Sequence, residues 1–233
     1  MSGRQHSSIH QSGFSMIEIL VTLIILLLGL LGLVGVMVKG QHSEIESYQR
    51  VQALILLQDM AGRINANRNV ARCYAFTTSP TGTSYNPSTP YVGTAGAGVL
   101  SAIPPASSCT TGTVTPTAQQ QDQFNSDLTA WNQLLLGAAE TFSGSGNCNG
   151  SVCAGAMVGA RGCVSYDAST ELVNPQTATT ITGSGIYTIA VAWQGLDSTA
   201  IATSNCAQGL YGSNDAQRRV VSLTLRMASL TTQ

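Results

Sequence analysis

The sequence predicts an α+β fold. A long N-terminal helix, membrane-spanning over its first half, packs on an antiparallel β-sheet, joined by a second helix and long disulfide-tied loops. Three observations carry this expectation. Ile19 to Val38 is an uncharged run of 20 residues, matching the roughly 20 that a helix needs to cross a bilayer core. Helical periodicity then continues past the run. Near the C-terminus, two segments switch to strict alternation, the mark of half-buried strands.

Ahead of the apolar run lies the polar stretch MSGRQHSSIHQSG, whose only permanently charged side chain is Arg4. A positive leader stays on the cytoplasmic side, which places the chain beyond the span in the periplasm or outside the cell. An ordinary secretory signal is disfavoured: its apolar core runs about 7 to 15 residues and ends in an A-x-A-like site, and neither holds here. Gly29, Gly32 and Gly35 lower helicity in water but allow close backbone approach in an apolar setting. Glu18 sits at the edge of the span, where a carboxylate either snorkels to the interface or finds a partner.

Beyond Lys39 the pattern turns amphipathic. Leu54, Leu57, Ala61 and Ile64, with Tyr48 and Val51 extending the stripe backward, predict one core-facing side. Glu44, Glu46, Arg50, Asp59 and Arg63 define the other. Arg63, Arg68 and Arg72 suit a helix C-terminus, and Asn65, Asn67 and Asn69 favour termination, so the helix is expected from about Phe14 to about Asn69. The chain is thus organised as a leader over 1–13, a helical segment over 14–72 with 19–38 crossing the membrane, and a globular body over 73–233.

In the body, 76–117 is rich in Thr, Pro, Gly and Ser and reads as loop. A second helix is expected from Thr117 to Glu140, with Phe124, Leu128, Trp131 and Leu135 on its core face. One strand is expected with Tyr187, Ile189, Val191 and Trp193 on one face, and another with Val221, Leu223, Leu225 and Met227. A shorter one is expected around Cys163, Val164 and Tyr166. Six cysteines, an even set, suit an oxidising compartment. Six cysteines admit about fifteen pairings, among which Cys148–Cys153, Cys163–Cys206 and Cys73–Cys109 are expected. Zinc is the rival reading, but CxxC pairs are missing and the last histidine is His42.

Composition narrows the chemistry. Charged residues make up 9% of the chain, and beyond Arg72 the body carries Arg161, Arg218, Arg219 and Arg226 against seven carboxylates. No nucleic-acid footprint is present, and Arg218–Arg219 reads as solvated or paired. The body has no imidazole for nucleophilic catalysis, and its carboxylates read as solvated surface charges, so no enzyme, metal or cofactor is expected.

The string GFSMIEILVTLIILLLGLLGL resembles the signal shared by type IV pilins and type II secretion pseudopilins. The resemblance implies a type IV pilin-like fold, cleavage between Gly13 and Phe14 by a prepilin peptidase, and N-methylation of Phe14. Removing the leader leaves 220 residues, with Glu18 fifth in the mature chain. Glu18 is then implied to neutralise the N-terminal amine of a neighbouring subunit, since a charge in apolar surroundings is tolerable only when paired. DMAGRINANR, ARGCV, IYTIAVAWQG and RRVVSLTLRM look like segments of the PilV family of minor pilins. That resemblance implies a subunit that primes filament assembly near the tip and supports twitching motility and adhesion. The implied partners are other minor pilins, the major pilin, the inner-membrane assembly platform and a tip adhesin. Such a subunit resides in the inner membrane before assembly and on the surface pilus after it. The alternative is a minor pseudopilin of a type II secretion system, against which the AWQG strand and the large, cysteine-rich body weigh.

Overall fold

The computed structural model describes residues 13, 15–77, 91–94, 116–137, 157–212 and 215–227. The chain divides into two compact units, Met1–Ile45 and Glu46–Gln233. Helix α1, Met16–Ala66, runs through the boundary and is followed by a 3₁₀ helix, Arg68–Tyr74. Strand β1 is Val92–Gly93, helix α2 is Ala118–Leu135, and β2, β3 and β4 are Arg161–Asp167, Ile186–Gln194 and Arg218–Arg226.

Helix α1 has 51 residues. Its end comes a turn earlier than the arginine and asparagine pattern suggests, because Asn67 is turned inward. The Asn67 amide donates to Tyr74 Oη (3.2 Å) and to the Gln120 carbonyl (3.1 Å), and the chain tightens into the 3₁₀ turn. Helix α2 begins one residue after the expected start, with Thr117 as its N-cap. Thr117 Oγ1 accepts from the Gln120 N–H, and the Gln120 side chain accepts from the Thr117 N–H, a reciprocal capping box that satisfies two orphan donors. The helix stops at Leu135, short of Glu140, where Gly137 adopts φ +82° and its N–H bonds to the Leu134 carbonyl, a glycine-terminated end. Glu140 lies outside the described residues.

The sheet has the order β1-β2-β3-β4, with each neighbouring pair antiparallel. One face of β3 carries Tyr187, Ile189, Val191 and Trp193. Together with Val164 of β2, these form a core with Ala53, Leu56, Leu57, Met60 and Ile64 of α1 and Phe124, Leu128, Trp131 and Leu135 of α2. Gly162 leaves room for this packing: a Cβ there would lie 2.3 Å from the Trp131 ring. The other face of β3 is buried too. Ala190 and Ala192 pack with Cys163, Cys206, Ala207 and Tyr211, under the connection between β3 and β4.

Two further expectations need correction. In α1, Tyr48, Val51 and Leu54 are exposed; the buried stripe is Gln49, Ala53, Leu56, Leu57, Met60 and Ile64. A polar and a small residue head that stripe, which disguises the true face. Gln49 is buried because its Oε1 accepts from Trp193 Nε1 at 3.1 Å. The second correction concerns the strands: β3 is buried on both faces, whereas in the edge strand β4 Leu223 is exposed and Val221 and Leu225 are half-buried. Cys163 and Cys206 form a disulfide, with Cα atoms 5.8 Å apart. Cys73 is also disulfide-bonded. Cys109, Cys148 and Cys153, and with them the other two expected pairings, lie outside the described residues.

Candidate functional site

In the first unit, the backbone of α1 opens on Ser15, whose carbonyl accepts from the N–H groups of Glu18 (3.0 Å) and Ile19 (3.4 Å). Glu18 therefore lies in the first turn, where free N–H groups and the helix dipole favour a negative charge. Gly13 is exposed with open space around it, and Phe14 lies outside the described residues.

From Met16 to Val38, 18 large apolar side chains are each at least 45% exposed, on all sides of the helix. A water-facing monomer rarely shows an apolar patch beyond a few hundred Å², and a helix that is apolar all round belongs in a bilayer or an apolar bundle. Among the described residues, this is the one helix long and apolar enough to cross a membrane. Its backbone suits that setting. Helical hydrogen bonds satisfy the chain internally, and the hydroxyl of Thr22 donates to the Ile19 carbonyl at 2.9 Å. A Cβ added at Gly29, Gly32 or Gly35 would meet nothing within 4 Å, so these glycines leave a surface that another helix backbone can approach.

In the second unit, the helix is gripped by polar contacts as well as by the core. Glu46 Oε1 accepts from the Leu196 N–H and from Arg219 Nη2 (3.2 and 2.9 Å). Trp131 Nε1 donates to the Leu56 carbonyl at 3.0 Å. Near the end of α1, Arg63 bonds Asp59 at 2.7 Å and Asp127 at 3.1 Å, and Tyr74 Oη donates to Asp127 at 2.6 Å. The hydrogen bond to Asp59 leads the effects that raise the Arg63 pKa against desolvation. Burial first, and then the Asp127 hydrogen bond, push the Tyr74 phenol up, so it remains a neutral donor.

These contacts correct the reading of the body's carboxylates as solvated. Asp127 and Asp215 are 3% and 7% exposed. Asp127 follows Phe124 by three residues and precedes Leu128, so its place on the apolar face of α2 is the available signal. Arg218, 1% exposed, is equally hidden in a sequence-level pair. Arg218 Nη1 donates to the carbonyls of Ser204 (2.6 Å) and Cys206 (2.9 Å), and Nη2 to that of Ala202 (2.9 Å). Its Nε lies 2.6 Å from Asp215 Oδ2, close enough for an ion pair but without hydrogen-bond geometry. Arg219 pairs with Glu46.

Residues 9–34 match the family described as the prokaryotic N-terminal methylation motif. No curated protein and no solved structure matches the chain. The chain thus carries the amino-terminal motif of prokaryotic prepilin-like proteins, the class of type IV pilins and pseudopilins. The apolar helix, four-stranded antiparallel sheet and disulfide fit the type IV pilin-like α+β fold. The motif implies processing by prepilin peptidase, membrane anchoring, and assembly with other pilins into a pilus or pseudopilus.

Proposed function

We propose that this protein is a minor pilin of a type IV pilus, of the PilV kind, which helps to initiate assembly near the filament tip and so supports twitching motility and adhesion. The observation that carries the reading is the methylation motif at 9–34, which leads directly into an apolar helix exposed on every side. In this reading the leader is cut between Gly13 and Phe14, Phe14 is methylated, and Glu18 pairs with the amine of the next subunit. Leaving such a charge unpaired in an apolar core costs about 3–5 kcal/mol, enough to exclude a defective subunit. The assignment to a pilus rather than a secretion pseudopilus rests on the segments that resemble PilV. They occupy the end of α1, the start of β2, β3 and β4, the scaffold of the body. No catalysis is assigned to the body, which serves as an interface to other minor pilins, the assembly platform and a tip adhesin.

The test is the intact mass of protein purified from its native membranes, together with incorporation of Glu18→Ala into sheared filaments. A mature chain starting at methylated Phe14 and a variant absent from filaments are expected. An unprocessed N-terminus, or cleavage after Val38, would overturn the reading. A deletion strain then separates the two machines: loss of surface pili and twitching supports the pilus, whereas loss of exported enzymes alone assigns the protein to secretion.

A further inference from the structure

Arg161 opens β2 beside the short edge strand β1, paired across to Gly93 and Ala192. Its guanidinium lies against two tyrosine rings, 5.5 Å from the centroid of Tyr91 and 4.8 Å from that of Tyr211. Tyr211 is buried, and its hydroxyl donates to the Gly159 carbonyl at 2.8 Å. The same carbonyl accepts a hydrogen bond from Arg161 Nη1 at 3.3 Å. Burial leads the effects that push the Tyr211 phenol up to about 12, against the lowering influence of Arg161, so the ring stays neutral and supplies no counter-charge. The cation is therefore fixed between aromatic walls before any ligand arrives.

Arg161 is set apart by the missing carboxylate. The other buried or part-buried arginines of the second unit each have one at hand: Arg63 has Asp59 and Asp127, Arg218 has Asp215, and Arg219 has Glu46, while Arg72, over the Tyr166 ring, feels the charge of Glu171. Among the described residues, no acid forms an ion pair with Arg161. Its Nε is buried without a partner, while the residue as a whole is only half-buried, and among the described residues the one hydrogen bond to a backbone carbonyl is that of Nη1 to Gly159. A guanidinium offers donors in a planar fork that matches a carboxylate.

We propose that Arg161, flanked by Tyr91 and Tyr211, is a binding site for the carboxylate of a small sugar acid. The anion takes the Nη1/Nη2 end of the guanidinium, and the part-exposed Tyr91 ring gives an apolar wall for the sugar ring. A single small carboxylate is favoured over an acidic protein surface because the body carries seven carboxylates against four arginines. Its field repels an extended anionic partner but leaves a short-range contact intact. The site is independent of filament assembly, and its test does not rest on the pilin reading.

The experiment is a calorimetric titration of the full chain in detergent micelles with sodium glucuronate, with glucose and sodium phosphate in parallel, repeated on Arg161→Gln and Arg161→Lys. Wild type should bind glucuronate at a Kd on the order of 1 mM and bind glucose undetectably. Arg161→Gln should weaken glucuronate binding at least about tenfold, a change of ~1.4 kcal/mol. Arg161→Lys, which keeps the charge but loses the fork, should fall between them with an unchanged thermal midpoint. No binding by wild type, equal binding by Arg161→Gln, or phosphate binding as tight as glucuronate would each overturn the proposal. So would equal binding of glucose, which would leave the carboxylate without a role.

Discussion

At the residue scale, the tightest constraint is the absence of a side chain at Gly162. A Cβ there would stand 2.3 and 2.5 Å from two ring carbons of Trp131 and 2.7 Å from a methyl of Leu135, and the indole is tethered by its bond to the Leu56 carbonyl. Overpacking a rigid core costs about 1–3 kcal/mol, so Gly162→Ala should destabilise the body by that amount in urea unfolding. An unchanged midpoint would mean that the indole has slack. Glu171 makes a different kind of prediction. It accepts from the Tyr166 hydroxyl and from the Gly183 N–H. The Tyr166 bond leads the effects that hold its carboxyl below the ordinary range, with the Gly183 N–H and the nearby Arg72 charge adding to it against desolvation. A folded pKa below the unfolded one gives stability that is complete above the unfolded value, near 4.3, and is lost as pH falls through the folded value. Glu171→Gln should therefore show a shallower loss of stability than wild type between about pH 4.5 and 3, and parallel curves would count against the linkage.

At the element scale, local chemistry is legible in the sequence wherever one pattern dominates. Phe124, Leu128, Trp131 and Leu135 mark the core face of α2, and Tyr187 to Trp193 give the central strand its period. The spine of α1 defeats a local reading because its buried face includes Gln49, whose amide is satisfied by Trp193, a partner 144 residues away. No local pattern announces a contact of that separation, and the same holds for Asp127 meeting Arg63 and Tyr74. The connection between β3 and β4 shows what such contacts achieve. It is closed at its base by the bonds of Gly195 N–H to the Gln217 carbonyl and Thr199 N–H to the Ala216 carbonyl. Two further fasteners act inside it: the Cys163–Cys206 disulfide and the three carbonyls gathered by Arg218. Truncating Arg218 strands those carbonyls and leaves Asp215 buried without its cation, a loss of about 3–5 kcal/mol for breaking a buried pair. Arg218→Gln should thus raise amide exchange across 198–212 while the disulfide remains intact and β2 and β3 keep their protection. Unchanged exchange would assign the ordering of this segment to the disulfide alone.

At the scale of the whole molecule, the far side of α1 within the body is the feature that a lone subunit leaves unexplained. With ~100° between successive residues, Tyr48, Val51 and Ile55 fall on one line, turned away from the stripe of Ala53, Met60 and Ile64 that enters the core. They are 54%, 51% and 53% exposed, although a surface helix ordinarily turns such positions polar. In the filament reading these side chains lie against neighbouring subunits, continuing beyond the membrane span the apolar packing that the span itself requires. Their burial there is worth roughly 1.5–3 kcal/mol for each fully covered side chain, so replacing two of them with charges should act on assembly rather than on folding. The double variant Val51→Glu, Ile55→Glu should unfold within about 0.5 kcal/mol of wild type, as exposed substitutions do, and should be processed and inserted normally. It should nevertheless be missing from sheared filaments, because a carboxylate desolvated between helices without a partner opposes entry. Incorporation at the wild-type level would show that this face stays in water in the assembled filament, and packing would then have to be assigned to the residues between Met16 and Val38.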